Sequence, residues 1–456
     1  MSELVENKMG TQPVTKLIVS MSLPAMFSML VNALYNVVDS VFVSWASNDA
    51  LTALSLAFPV QMLMISVGIG TGVGINSLVS RRLGEKNQEE ADHAASHGVV
   101  LALISWAVFA LLGILFTRPF FAAFTQTQAV VDMGCDYVRV ITICSFGMFV
   151  EINLEKTLQA TGNMIYPMFF QLTGCIINII LDPIMIFGLL GFPKLGVLGA
   201  AIATVIGQIC AMIFAAIVIF KKSHAVNITL KNFKFRAKTV KDIYIVGLPS
   251  IVMQSIGSVL IVGLNAILIK FSEAAVSVLG IYNKVQSFVF MPVFGLTQGV
   301  MPIMGYNYGA RKKKRLLKAL KVGSVMALCI MAVGTLIFML LPAQILQIFN
   351  ATPEMMRIGI LAMRIISLNF IPAALGILFS TLFQAVGLGT RSLLISLLRQ
   401  LVVLLPVAYA LSFIGLESIW YAFPISEAVS LVVSILLLIQ VYRKYIKNLE
   451  PEPQAV

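Results

Sequence analysis

The chain has 456 residues, of which 59% are hydrophobic and 11% are charged, and its mean hydropathy is +0.94. A soluble globular domain carries about 25% charged residues, so this composition excludes that class. The apolar blocks are sufficient for about twelve helices of about 20 residues, and they lack the alternation of barrel strands. We therefore predict an all-α polytopic membrane protein, bound to the lipid bilayer.

The net charge of +12 is concentrated in two stretches. Seven basic residues lie between positions 221 and 241, and seven more lie between 311 and 321. We predict a multi-pass protein of the plasma (inner) membrane. The positive-inside rule places these loops and both termini on the cytoplasmic side of that membrane. Because membrane topology accounts for this distribution, we expect no nucleic-acid partner.

The sequence contains two related halves. A shift of 225 residues carries Pro24 to Pro249 and aligns further glycines and polar residues, among them Gly70 with Gly295, Gly74 with Gly299 and Gln159 with Gln384. This constant offset indicates duplication of a six-helix unit. Because six is even, we expect two six-helix bundles related by a pseudo-two-fold axis along the membrane normal.

The predicted organisation has five parts. They are a cytoplasmic N-terminus (1–16), an N-lobe of six helices (17–221), a cytoplasmic linker (222–242), a C-lobe of six helices (243–446) and a cytoplasmic tail (447–456).

The first predicted helix is interrupted by Pro24, which removes one backbone hydrogen bond and permits a bend. Farther along, Asn32, Tyr35, Asn36 and Asp39 recur every three or four residues. Such spacing puts them in one polar stripe on an otherwise apolar helix.

A second polar face lies on the fifth predicted helix. Asn178 and Asp182 are four residues apart and project from the same side. At ~1.5 Å per residue, Asp182 lies ~24 Å from the cytoplasmic start of its helix, and Thr204 lies ~12 Å from the outer start of the sixth helix. By the same count Asp39 is also in the outer half, so these four residues are predicted to share one pocket. Two carboxylates, an amide oxygen and a hydroxyl suit Na⁺, and paired carboxylates also accept a proton.

Two further acids, Glu151 and Glu155, are four residues apart on the fourth helix, beside Lys156. They are either snorkelling or paired charges near the cytoplasmic end, or part of the transport path. The second half lacks an equivalent acid pair, because Asp39 and Asp182 correspond there to Leu264 and Val407. It contains other polar candidates for a cavity or substrate path, namely Gln254, Tyr282, Asn283, Gln286 and Gln384, and two charges that read as isolated, Arg399 and Glu427.

The five cysteines show no CxxC spacing and are expected to be packing residues rather than a metal or disulfide framework. The three histidines, His93, His97 and His224, lie at or near cytoplasmic loops and are expected to be solvated.

Several segments resemble the MATE (multidrug and toxic compound extrusion) transporters, and the likeness covers nearly the whole chain. They are Leu23-Pro24, Leu34-Tyr35-Asn36-Val37-Val38-Asp39, Ser80-Arg81-Arg82-Leu83-Gly84, Ala160-Thr161-Gly162-Asn163, and Asn178-Ile179-Ile180-Leu181-Asp182-Pro183 followed by Gly196 to Thr204.

The resemblance implies two six-helix bundles around a central cavity and export of amphipathic, often cationic drugs in exchange for Na⁺ or H⁺. It makes Pro24 the hinge of the first helix, and it makes Asp39, Asn178, Asp182 and Thr204 the cation site that couples transport. Tyr35, Asn36, Glu151 and Glu155 join the candidates for the cavity or substrate path. We expect a monomer that acts on drug-like small molecules and needs no cofactor beyond the coupling ion.

Two rival functions are weaker. A lipid-linked oligosaccharide flippase of the same wider superfamily needs an arginine-dense cavity, and Arg364 and Arg399 are too few. An intramembrane enzyme is not expected, since the sequence has no HExxH and no GxSxG motif.

Overall fold

The computed structural model describes residues 7–44, 48–231 and 233–449, without the side chains at positions 39–41, 43, 44, 48 and 51. Every regular element in these ranges is a helix. The first half contains α1 (Lys8–Thr11), α2 (Val14–Ser44), α3 (Asn48–Gly84), α4 (Gln88–Phe124), α5 (Gln128–Ile143), α6 (Phe146–Ala160), α7 (Ile165–Phe187) and α8 (Val197–Lys221).

The second half has the same plan with more interruptions. It contains α9 (Ala237–Leu268), α10 (Glu273–Gly309), α11 (Lys313–Leu340), α12 (Pro342–Ile348), α13 (Pro353–Ser367), α14 (Phe370–Ala385), α15 (Gly389–Leu397), a first π-helical segment (Leu398–Leu404), α16 (Leu405–Ser412), α17 (Leu416–Ile419), α18 (Ala422–Val441) and a second π-helical segment (Tyr442–Ile446).

The helix ends follow local sequence signals. Asn87 caps α4 by accepting a hydrogen bond from the backbone N–H of Glu90, and Ser272 caps α10 in the same way through Ala275. Gly188 ends α7 in the left-handed conformation, with φ of 74°, which a glycine adopts without steric cost.

The prediction of twelve spans is confirmed. The described residues contain ten helices that are long and apolar enough to cross a membrane, and two bent helix pairs bring the number to twelve. The pairs are α5 with α6, bent by 45°, and α13 with α14, bent by 46°. They take the fourth place in each half. The fourth span of the first half breaks at Cys144 and Ser145.

The chain forms two compact units, which we call the N-unit (Phe27–Ile251) and the C-unit (Met1–Met26 with Val252–Val456). These units differ from the predicted lobes, 17–221 and 243–446, in one respect. The N-terminal half of α2 belongs to the C-unit, and the N-terminal half of α9 belongs to the N-unit. Each change of unit falls two residues after a proline, Pro24 in α2 and Pro249 in α9.

The N-terminal half of α9 packs closely against α3 in the N-unit, and that of α2 packs closely against α10 in the C-unit. In both cases a glycine leaves no side chain between the two helix backbones. In the N-unit, a Cβ at Gly74 of α3 would lie 2.3 Å from the backbone oxygen of Ile243 in α9. In the C-unit, a Cβ at Gly299 of α10 would lie 2.8 Å from the Cα of Ser22 in α2. Gly74 and Gly299 are equivalent under the 225-residue shift, so both units contain the same crossing.

The linker is anchored to α4, and here one expectation was wrong. His97 was expected to be solvated but is fully buried, because its ring packs against Phe233 with ring centroids 4.7 Å apart. Its Nε2 accepts a hydrogen bond from the backbone N–H of Arg236 at 2.9 Å. The Arg236 guanidinium pairs with Glu90 at 2.8 Å and with Glu89 at 3.1 Å.

Gly74→Ala is expected to destabilise the protein by about 1 to 3 kcal/mol, since the added methyl group would overlap a backbone oxygen that lies in a rigid helix. Gly280→Ala on α10 is the matched control, because nothing lies within 4 Å of a Cβ there. Thermal unfolding of the two purified variants measures the difference. Equal melting temperatures would show that the α3–α9 crossing tolerates a side chain.

Candidate functional site: a buried polar cluster on α7

The predicted polar face of α7 is buried inside the N-unit. Asp182 is fully buried and Asn178 is 3% exposed, so neither faces lipid. Helix α8 approaches this face closely because of two glycines, since a Cβ at Gly207 would lie 2.8 Å from the backbone oxygen of Gly174. Thr204 lies one turn before Gly207, and the close approach brings it next to Asn178.

Asn178 connects three helices through hydrogen bonds. With the amide oriented to match its neighbours, its nitrogen donates to Asp182 Oδ2 at 2.7 Å and to Tyr35 Oη at 3.1 Å. Its oxygen accepts from Thr204 Oγ1 at 3.1 Å and from the Thr204 backbone N–H at 2.9 Å. The structure therefore brings together three of the four predicted cation-site residues, and it adds Tyr35 from α2.

The fourth residue of the predicted site, Asp39, lies in α2, but its side chain is outside the described residues. In the sequence Asp39 follows Tyr35 by four residues. Asn36 is exposed, and its side-chain nitrogen donates to the Asn32 backbone oxygen at 2.8 Å.

Glu155 lies in a second buried network, toward the C-terminal end of α6. Its Oε1 accepts from Lys156 Nζ at 2.9 Å and from Gln159 Nε2 at 2.7 Å, and its Oε2 accepts from Gln171 Nε2 at 3.0 Å. Glu155 is 2% exposed and Lys156 is 6% exposed, so this is a paired buried charge rather than a snorkelling one. Glu151, one turn away, has a buried Oε1 with no hydrogen-bond partner among the described residues.

The two polar groups lie along one face of α7. Gln171, Cys175, Asn178 and Asp182 follow at intervals of four, three and four residues, which is the spacing of one helical stripe. At ~1.5 Å per residue, Gln171 and Asp182 are ~16 Å apart along the axis. The sequence alone indicates this stripe, and it also places Glu155 and Gln159 four residues apart on one face of a helix. The contact of Gln171 with Glu155 was missed, because it depends on how α6 and α7 pack.

Lys156→Met is expected to destabilise the protein by about 3 to 5 kcal/mol, because it leaves the Glu155 carboxylate buried without a counter-charge. The double variant Glu155→Gln/Lys156→Met, which removes both charges, should recover most of that loss. Melting temperatures of Lys156→Met, of Glu155→Gln and of the double variant test this expectation. A double variant less stable than Lys156→Met would contradict it.

The predicted path residues of the C-unit differ in exposure. Gln254 on α9 is exposed, while Asn283 and Gln286 on α10 and Gln384 on α14 are half-buried. Tyr282 is 1% exposed and contacts Phe338 and Phe423, with ring centroids 6.0 Å apart in both cases.

The interpretation of Arg399 and Glu427 as isolated charges was wrong. Arg399 Nη1 lies 3.6 Å from Glu427 Oε1, so the two residues form an ion pair between the first π-helical segment and α18. They lie on the eleventh and twelfth spans, and their opposite charges on neighbouring spans were the available sequence signal.

The fold has twelve apolar spans and buries a carboxylate, an amide and a hydroxyl together. These features define a polytopic membrane protein with a polar site inside its membrane-spanning helices, as secondary transporters have. The model of the MatE family matches the chain twice, at residues 24–184 and 249–410. The chain belongs to this family. The two matches begin 225 residues apart, which confirms the predicted duplication.

Known proteins resemble the chain over nearly its full length. Multidrug export protein MepA of Staphylococcus haemolyticus (strain JCSC1435) is 26% identical over 416 residues, which are 91% of each chain. The outward-facing conformation of a multidrug resistance MATE family transporter of the MOP superfamily gives a TM-score of 0.92 at 28% identity, over 98% of this chain and 100% of that one. A MOP superfamily transporter from Pyrococcus furiosus, described as having a binding pocket of reverse polarity, gives 0.91 at 28% identity, over 98% and 99%.

Proposed function

We propose that this protein exports amphipathic or cationic compounds across the inner membrane by antiport with Na⁺ or H⁺. The observation that carries the proposal is the buried cluster of Asp182, Asn178, Thr204 and Tyr35 in the N-unit. A carboxylate inside a bilayer requires a partner, a proton or a cation, and such residues mark ion pathways. Membership of the MatE family and similarity to a multidrug export protein support the transport role.

In this proposal Asp182 and Asp39 bind the coupling ion. The oxygens of Asn178 and Thr204 are hard ligands that suit Na⁺ once the amide nitrogen turns away from Asp182. In the proton version, protonation neutralises one of the two carboxylates, and Asn178 then accepts a hydrogen bond from it. Either event changes the hydrogen bonds that join α7 to α8 and α2.

Transport by alternating access requires the ion to favour a conformation with lower drug affinity. A coupling free energy of about 1 to 3 kcal/mol changes drug affinity by about 5 to 150-fold. Pro24 is the proposed hinge, because the missing N–H of proline weakens α2 two residues before the helix passes from the C-unit to the N-unit. The proposal includes a monomer with cytoplasmic termini and no cofactor besides the coupling ion.

The flippase alternative gains no support from the described arginines. Arg364 is exposed, and its Nε donates to the Met339 backbone oxygen at 3.2 Å. Arg399 is paired with Glu427. Neither is available as part of an arginine cluster for pyrophosphate.

Asp182→Asn and Asp39→Asn are expected to abolish ion-driven drug efflux, because an amide neither takes up a proton nor neutralises Na⁺. The assay is uptake of a fluorescent organic cation into inside-out vesicles or proteoliposomes, with a Na⁺ gradient or a pH gradient imposed one at a time. Asp136→Asn on α5, where the aspartate is exposed, is the matched control and should transport normally.

The two gradients separate the two coupling ions, since only the gradient of the coupled ion drives transport in the unaltered protein. If Asp182→Asn and Asp39→Asn both transport at the normal rate and with the normal ion dependence, the assignment of the coupling site is wrong.

A further inference from the structure

Positive charge is concentrated at one end of the C-unit, the end predicted to face the cytoplasm. Positions 311–321, which begin at the turn between α10 and α11, contain seven basic residues. Three more lie in the second π-helical segment and just beyond it, at Arg443, Lys444 and Lys447. The two stretches meet, because Lys313 Nζ lies 5.3 Å from the centroid of the Tyr442 ring and donates to the Lys447 backbone oxygen at 2.9 Å.

The acidic residues described for the C-unit lie elsewhere. Three of them are in the first turns of α10, α13 and α17, at the opposite ends of spans that lead to basic residues, and they are Glu273, Glu354 and Glu417. The fourth, Glu427, is buried within α18 beside Arg399. In the described part of this unit, no carboxylate therefore lies at the basic end to balance Lys313, Arg391 or Lys444.

The corresponding end of the N-unit has its charges paired. There the turn between α3 and α4 is equivalent, under the 225-residue shift, to the turn between α10 and α11. Arg82 lies 2.7 Å from Glu85 and 3.5 Å from Asp242, and Arg236 lies 2.8 Å from Glu90. Membrane topology favours basic residues at this end of both units, so it does not explain why the described part of the C-unit lacks acidic partners there.

The need for a partner is most specific at Arg391 of α15. Its guanidinium carbon lies 5.5 Å from the centroid of the Tyr445 ring, and Lys444 Nζ lies 5.4 Å from the same centroid. The two cations are thus within about 11 Å of each other and repel. Arg391 Nη1 is also buried and makes no hydrogen bond to any described residue. Because buried N–H groups are nearly always satisfied, these features indicate an acceptor from outside the chain, and an anion would balance both charges.

An exposed apolar face leads directly to this group of cations. Leu436 is 61% exposed and Ile439 is 43% exposed, and both lie on α18. Arg443, which is also exposed, follows Ile439 by four residues, so the apolar side chains and the arginine lie close to one face of the helix. Tyr442 and Tyr445 lie at the transition, as aromatic residues commonly do at the level of lipid headgroups. A phospholipid has the same order of apolar chains and phosphate, whereas a soluble anion has no use for the apolar face.

We propose that this end of the C-unit binds the headgroup of an anionic phospholipid, whose phosphate lies between Arg391 and Lys444. The guanidinium offers its unsatisfied N–H to a phosphate oxygen, and the acyl chains lie along the exposed face of α18. Lys313 adds a third positive charge from α11, so the bound lipid links three spans whose like charges otherwise repel. The site does not depend on the antiport proposal, because it includes none of the residues of the buried cluster on α7.

The test is equilibrium binding of tritium-labelled phosphatidylglycerol to the purified full chain in mixed detergent micelles. We expect saturable binding that weakens as NaCl is raised, since the attraction is electrostatic. Unlabelled phosphatidylglycerol should displace the label at concentrations about tenfold or more below those of phosphatidylcholine with the same acyl chains. Inorganic phosphate and polyglutamate, added at the same concentration of negative charge, should leave the label bound.

Arg391→Gln and Lys444→Gln are each expected to weaken phosphatidylglycerol binding by about fivefold, the effect of one basic residue near a membrane surface. Lys238→Gln is the matched control, because Lys238 is an exposed cation on the same predicted side but in the N-unit, and its affinity should not change. Lys444 is exposed, so this variant decides the question even where Arg391→Gln does not fold.

Three results would overturn the proposal. Equal displacement by phosphatidylcholine would mean that the surface holds lipid without regard to charge. Displacement by inorganic phosphate or polyglutamate would mean that it takes a soluble anion or an acidic protein instead. Equal losses of affinity in Lys238→Gln and Lys444→Gln would mean that net charge attracts the lipid and that no site exists at Arg391.

Discussion

An ionised side chain inside a bilayer has to find its partners within the protein, and this constraint explains the interior of both units. Asp182 is joined to Asn178, and through it to Thr204 and Tyr35. Glu155 accepts hydrogen bonds from three side chains. Glu427 has Arg399 at 3.6 Å. In hydrocarbon an unsatisfied polar group costs several kcal/mol, so the helices that supply these partners are committed to pack against one another.

The sequence was sufficient for the class, the span number and the duplication, because each depends on patterns that extend over tens of residues. It was also sufficient for most of the α7 cluster, since residues four apart on a helix share a face whatever the tertiary structure. Contacts between helices were harder to predict. The pairing of Arg399 with Glu427 and of Gln171 with Glu155 depends on how each helix is rotated about its axis, and hydropathy does not determine that rotation.

The signal for the broken fourth span is short and local. The break between α5 and α6 falls at Cys144 and Ser145, and Gly147 lies in the first turn of α6. The Ser145 hydroxyl donates to the backbone oxygen of Thr142 at 2.7 Å, which satisfies one of the carbonyls released at the break. The corresponding break near Asn369 has Pro372 in the first turn of α14, at the position equivalent to Gly147, so the two halves bend at the same place with different residues.

The exchange of half-helices between the units has a consequence for the biogenesis of the protein. A fragment ending at the linker would lack the segment of α9 that packs against Gly74, and it would retain a segment of α2 whose partner, Gly299, lies in the missing fragment. Neither half of the duplicated sequence therefore encodes a complete unit. During synthesis the first six spans lack the N-terminal half of α9 until the seventh span has been made. The final packing of both units therefore follows membrane insertion.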